Sequence, residues 1–89
     1  MKHTAILFVC MGNICRSPIA EGVLRHLADD AAVSDQLAID SAGTGGWHAG
    51  EAPDPRSIAM ARRHGIDISS QRARQVTRAD FETFDLILA

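Results

Sequence analysis

The stretch ILFVCMGNICRSPIAEGVL, Ile6 to Leu24, runs from an apolar segment through a short polar turn into a helix-like pattern. Extended backwards to Thr4, the first part reads TAILFVC, a continuous run with β-branched and aromatic members, as in a parallel strand covered on both faces. Beyond the turn, Ala20, Val23, Leu24 and Leu27 recur at i, i+3, i+4 and i+7, which predicts an amphipathic helix with Ser17 as its cap and Pro18 in its first turn. A second strand is expected at Leu37 to Ser41, LAIDS, making the opening a right-handed βαβ unit. The fold class that follows is α/β with a parallel sheet, in a single domain over residues 1–89.

The rest of the chain carries clear boundary signals. AGTGGWHAGEAPDP, 42–55, is dense in Gly and Pro and reads as one long surface loop, a length that in a small domain is usually functional. Asp54 then caps a helix with Pro55 in its first turn, and ARRHG ends it with cations in the last turn and Gly65 at the stop. Thr77 and Asp80 form a pair like a capping box, with Val76 and Phe81 placed as a staple, so a short helix is expected from about Arg78. FDLILA, 84–89, reads as a third buried strand.

Composition narrows the function classes. The net charge is −2 with basic residues scattered, which argues against nucleic-acid binding. No apolar run is long enough to span a bilayer, and MKHTA leads into the first strand without a cleavage site, so a cytoplasmic protein is expected. His3, His26, His48 and His64 show no metal-ligand pairing, and neither a metal nor another cofactor is expected. The two cysteines are too few for a disulfide framework.

Both cysteines lie in the turn. A loop at the carboxyl end of a parallel strand, curling into a helix N-terminus, turns its N–H groups on one point and favours an anion there. Gly12 and Asn13 tolerate the left-handed backbone such a curl needs. An anion cradle also stabilises a thiolate, so Cys10 at its base is the candidate nucleophile, with Ser17 able to donate a hydrogen bond to the sulfur. Arg16, a cation in a helix's first turn, opposes the helix dipole unless an anion is present, and its fork suits two phosphoryl oxygens. These roles fit attack of a thiolate on a phosphate monoester, with a phosphocysteine intermediate released by water.

VCMGNICRSP resembles the active-site signature of the low-molecular-weight protein tyrosine phosphatases: Cys, five residues, Arg, Ser, close to the N-terminus. The likeness continues through DSAGTGGWHAGEAPDPRS, HGID and RARQVTRADFETFDLILA. It implies a three-layer α/β/α fold of bacterial type, with the third strand neighbouring the first. Cys10 is then the nucleophile, Arg16 the phosphate clamp and Ser17 the thiolate partner. Met11, Gly12, Asn13, Ile14 and Cys15 form the phosphate-binding loop, with Asn13 braced by Ser41 and Trp47 lining the entrance to a phosphotyrosine protein or a small aryl phosphate.

The family's general acid is an aspartate in an Asp-Pro-Tyr or Asp-Pro-Phe loop past the third strand, and by the resemblance this sequence ends before it. Impaired turnover is the resulting expectation, together with self-association through an exposed strand edge. Gln71 stands where typical bacterial members often carry His. Two other readings stay open: an arsenate reductase of the same fold, and a non-catalytic phosphate-binding or assembly module. Cys15 is open between core filling and a reversible disulfide with oxidised Cys10, and Trp47 between covering the core and meeting substrate.

Overall fold

The computed structural model describes residues 3–89; Met1 and Lys2, the start of the MKHTA segment, lie outside the described residues. Strand β1, Thr4–Cys10, leads through the turn into helix α1, Arg16–Asp30. A short 3-10 turn, Ser34–Gln36, precedes β2, Leu37–Gly43. After the Gly-rich loop come α2, Pro55–Arg63, the short α3, Asp80–Thr83, and β3, Leu86–Leu88. The three strands form one parallel sheet in the order β2-β1-β3, so β1 is central and its carboxyl end delivers Cys10 to the middle of the sheet's edge.

Strand alternation sorts the residues between two faces. Ile6, Phe8, Ile39, Ser41, Leu86 and Leu88 share one face by register, and α1 covers it, since Glu21 of α1 bonds Ser41. α2 packs in turn on α1, and Ile68 is completely buried beside Gly22, where a methyl group would come within 2.5 Å of its side chain. Leu7, Val9, Asp40 and Ala42 take the opposite face. The segment leading to α3 lies across it: Arg74 reaches Asp40 at 3.1 Å and Asp80 at 3.0 Å, and Leu7 and Ala42 have no exposure. The result is three layers, α/β/α, with the core seated on the two faces of β1 and β2.

Several local expectations are met in detail. Asp54 caps α2, its Oδ1 accepting from the Arg56 N–H at 2.8 Å, and Pro55 occupies the first turn. Gly65 closes α2 with φ 75°, while Ile66 and Gly65 donate to the carbonyls of Ala61 and Arg62. This is a Schellman end, in which the left-handed residue suits glycine.

Others are corrected. Ser17 is not the cap of α1: the helix starts two residues earlier than that cap implies, at Arg16, Cys15 holds the cap position without a side-chain bond, and the Ser17 hydroxyl turns to Cys10 instead. The face of α1 toward the core carries Ser17, Pro18, Glu21, Gly22 and Ala28, whereas Val23 and Leu27 are exposed, because a polar network rather than an apolar stripe joins the helix to β2. β2 extends to Gly43, taking two residues from the expected loop. α3 starts at Asp80, since the Asp80 carboxylate reaches back to the N–H of Thr77 at 2.7 Å and leaves 78 and 79 in the turn; Phe81 stays 66% exposed, so the staple buries little of it. β3 is half-exposed rather than buried, with Leu86 and Leu88 uncovered on the α1 face.

α1 ends in the same Schellman pattern as α2, with Val33 and Ala32 donating to the carbonyls of Ala28 and Asp29, but its left-handed residue is Ala32 at φ 58°. A left-handed L-residue costs about 1–2 kcal/mol, only part of which glycine returns as extra unfolded-state entropy. Ala32→Gly is therefore expected to stabilise the protein by about 1 kcal/mol. Thermal unfolding should move up by roughly 4–8 °C for a domain of this size, and an unchanged or lower midpoint would refute the assignment.

Candidate active site

Residues 10–17 close a loop around the Cys10 sulfur. The carbonyls of Cys10, Met11 and Ile14 point outward, where the N–H groups of Thr44, Gly45 and Asp54 meet them at 2.8, 2.9 and 2.7 Å. With its acceptors satisfied from outside, the loop turns its donors inward. The Asn13 N–H lies 3.2 Å from Cys10 Sγ, and the N–H groups of Cys15 and Ser17 also act on the sulfur. The Gly-rich segment 44–54 is thus a buttress for the loop, not a free surface loop. Close approach explains one glycine just before it and one within it: a methyl group on Gly43, the last residue of β2, would sit 2.9 Å from the Met11 carbonyl, and one on Gly45 would fall inside the Trp47 ring.

Asn13 holds the curl. It is the loop residue in the left-handed region, φ 59°, and is only 2% exposed. Gly12 does not share that conformation; its missing side chain makes room for His48, whose ring carbon would lie 2.9 Å from a methyl group there. The Asn13 amide is fully used. Oδ1 accepts from the Arg74 N–H at 3.0 Å, and Nδ2 donates to Ser17 Oγ at 2.8 Å and Ser41 Oγ at 3.0 Å.

These bonds fix the direction of the next one. Ser17 Oγ lies 2.9 Å from Cys10 Sγ and already accepts from Asn13, so with the sulfur as thiolate its own proton points there. Burial pushes the Cys10 thiol up, but the Ser17 hydroxyl and then the N–H groups of Ser17, Asn13 and Cys15 outweigh it, and the thiol lies below its ordinary value.

Arg16 stands exposed in the first turn of α1 and lines two cavities that share Cys10. The smaller, about 250 Å³, is the mouth of the loop, walled by Met11, Gly12, Ile14 and Cys15. The larger, about 750 Å³, is a cleft between α1 and β3 that includes Phe8, Ala20, Thr44 and Leu88. Trp47 is 64% exposed and folds over Gly45 on the buttress, outside the linings of both cavities. Cys10 and Cys15 are both free thiols. Among the described residues no three His, Cys, Asp or Glu side chains gather as a metal site, and no helix is long and apolar enough to cross a membrane.

Of the residues singled out in the sequence, Cys10, Asn13, Arg16, Ser17 and Ser41 converge. Glu21 and Arg74 were missed. Glu21 is 6% exposed and accepts from Ser41 Oγ at 2.6 Å and from Arg25 Nε at 3.0 Å. Its signal was its position, four residues after Ser17 and four before Arg25 on one helix face. Arg74 contributes its backbone, positioned by its ion pairs, and has no local sequence signal. Gln71 donates to the Pro18 carbonyl at 3.0 Å and so braces the start of α1, while its Oε1 is buried without a partner.

Linkage gives the sign of the pH dependence. A thiol whose folded-state pKa is lowered adds stability that is complete above the unfolded value of 9.0 and lost as pH falls through the folded one. Alkylation of Cys10 should therefore switch on at lower pH than in an unstructured peptide. Ser17→Ala should move that onset upward, and an unchanged onset would contradict the assigned proton direction.

Residues 5–89 match the family model described as low molecular weight phosphotyrosine protein phosphatase. The pig protein of that name is 54% identical over 84 residues, covering 94% of this chain and 52% of the relative. The crystal structure of YfkJ from Bacillus subtilis superposes with a TM-score of 0.94 at 44% identity, over 98% of this chain and 55% of that one. A protein tyrosine phosphatase from Entamoeba histolytica, with Hepes in its active site, gives 0.90 at 37% identity, over 94% and 53%. The chain spans about half the length of the relatives it matches. With residues 5–89 matching the family model and the backbone superposing closely on a solved member at 44% identity, the chain belongs to the low molecular weight phosphotyrosine protein phosphatase family.

Proposed function

We propose that this chain carries the nucleophilic half of protein tyrosine phosphatase chemistry. The Cys10 thiolate attacks the phosphorus of a phosphate monoester; an S–P bond forms as the ester P–O bond breaks, leaving phosphocysteine and the alcohol or phenol. Water then cleaves the S–P bond and releases inorganic phosphate. The observation that carries this reading is the Cys10 sulfur with the Asn13 N–H at 3.2 Å and the Ser17 hydroxyl at 2.9 Å, which lower its thiol pKa. Those donors stabilise the thiolate first and the phosphoryl oxygens as charge spreads over them. Arg16 forks onto two of those oxygens from the rim, and the backbone of Met11, Gly12, Asn13, Ile14 and Cys15 holds the third. The Hepes in the Entamoeba enzyme's active site carries a sulfonate, a tetrahedral oxyanion of the same shape.

The substrate class proposed is a phosphotyrosine protein or a small aryl phosphate. The side chains of Met11 and Ile14 wall the mouth of the loop, and Trp47 stands above the buttress, where a ring could rest. No described aspartate is offered as the proton donor. Asp40 and Asp80 hold Arg74, Asp54 caps α2, Asp67 bonds Ser69, and Asp85 accepts from the Ala5 N–H.

p-Nitrophenyl phosphate, whose leaving group needs little protonation, should turn over. Cys10→Ser should abolish turnover and keep inorganic phosphate binding; turnover that survives the substitution would overturn the reading.

The outer edge of β3 and the exposed Leu86 and Leu88 are proposed to pair with a second copy, as uncovered strand edges do. Light scattering after size exclusion should give a mass above that of one chain, and a monomer at all concentrations would refute this.

A further inference from the structure

We infer that Glu21 is a positioning residue for the nucleophile, acting through Ser41, Asn13 and Ser17 to decide which way the hydrogen bonds at Cys10 run. The inference rests on the reading of Cys10 as the reacting thiolate.

Two proton arrangements satisfy the serines around Asn13. In the one described above, Asn13 Nδ2 donates to Ser17 and to Ser41, Ser17 donates to the sulfur, and Ser41 must send its only proton elsewhere. Glu21 Oε1 takes that proton at 2.6 Å. In the other, the Asn13 amide turns over, and Oδ1 accepts from both serines. Ser17 then spends its proton on Asn13 and can only accept from Cys10, which favours the thiol over the thiolate. That state also sets Nδ2 against the Arg74 N–H, which donates to Oδ1 in the first arrangement. A carboxylate beside Ser41 accepts and never donates, so it selects the first arrangement.

Glu21 cannot turn away from this task. It is buried on the face of α1 toward the sheet, and its other oxygen is held by Arg25 Nε at 3.0 Å. Arg25 is itself tied to the Ile39 carbonyl of β2, two residues before Ser41. On its outer side Glu21 borders a cavity of about 460 Å³, around which stand His26 and Asp29 of α1, Asp67 of the turn after α2, and Gln71. Of the charged side chains there, Arg25 is the one bonded to Glu21.

Glu21→Gln keeps the shape and changes the donor pattern. Arg25 retains the amide oxygen, so the NH2 group faces Ser41 and drives its proton back toward Asn13. The experiment is the pH profile of iodoacetamide alkylation at Cys10, read by peptide mass spectrometry in wild type, Glu21→Gln, Ser41→Ala and the double variant, each checked for a cooperative melt. Glu21→Gln is expected to raise the midpoint by about one unit, a roughly tenfold slower reaction at pH values below the wild-type midpoint. It should add nothing in the Ser41→Ala background, because the connection is already cut. A folded Glu21→Gln variant with the wild-type midpoint, or full additivity with Ser41→Ala, would overturn the inference alone. If Glu21→Gln does not fold, Ser41→Ala, which cuts the same connection, must by itself shift the midpoint in the same direction, and no shift overturns it. A wild-type midpoint in the ordinary thiol range would instead overturn the reading of Cys10, and the inference with it.

Discussion

Asn13 is the residue on which the rest of the site depends. Its backbone is left-handed at φ 59°, a conformation that an L-residue holds only when its surroundings over-determine it. Here they do, because one buried amide joins four separate pieces of chain: its own loop, Ser17 on α1, Ser41 on β2 and the backbone of Arg74. Remove that amide, and the loop loses both the reason to curl and the partner that aims Ser17 at the sulfur. The cost of a buried polar group left unpaired makes such a network close to all-or-none.

The second constraint is the accounting of backbone acceptors. A loop can turn all its N–H groups to one point only if its carbonyls are satisfied elsewhere. The segment 44–54 does this through Thr44, Gly45 and Asp54, and Gly43, at the end of β2 just before it, lets the two backbones come close enough. Asp54 serves twice, since its N–H meets the Ile14 carbonyl while its carboxylate caps α2. The loop 10–17, the buttress and the second helix are therefore one mechanical unit. Arg74, pinned by Asp40 and Asp80, fixes the same unit from the opposite face of the sheet.

Much of this was legible in the sequence where the signal was local. The strand, loop and helix of the opening and the Asp54 and Gly65 boundaries of α2 follow from periodicity and caps, the grouping of Cys10, Arg16 and Ser17 from the character of the loop, and the link from Asn13 to Ser41 from the family resemblance alone. What was not legible depends on partners far away in sequence. Ser17 looks like a cap until Asn13 claims its oxygen. Val23 and Leu27 look like core until Glu21 takes the buried face of α1 for a polar network. The Gly-rich run looks like free loop, because nothing local says that its N–H groups answer carbonyls more than thirty residues earlier. Arg74 carries no motif, since it acts through its backbone N–H.

The central claim is that Cys10 is a preorganised thiolate that forms a covalent bond to phosphorus. Rapid quench of the protein with an aryl phosphate at mildly acidic pH, followed by intact mass and peptide mapping, tests it most directly. The account predicts a phosphoryl adduct on Cys10 within a single turnover. Its absence, in folded protein that still binds inorganic phosphate, would contradict the account and leave an anion-binding module in its place.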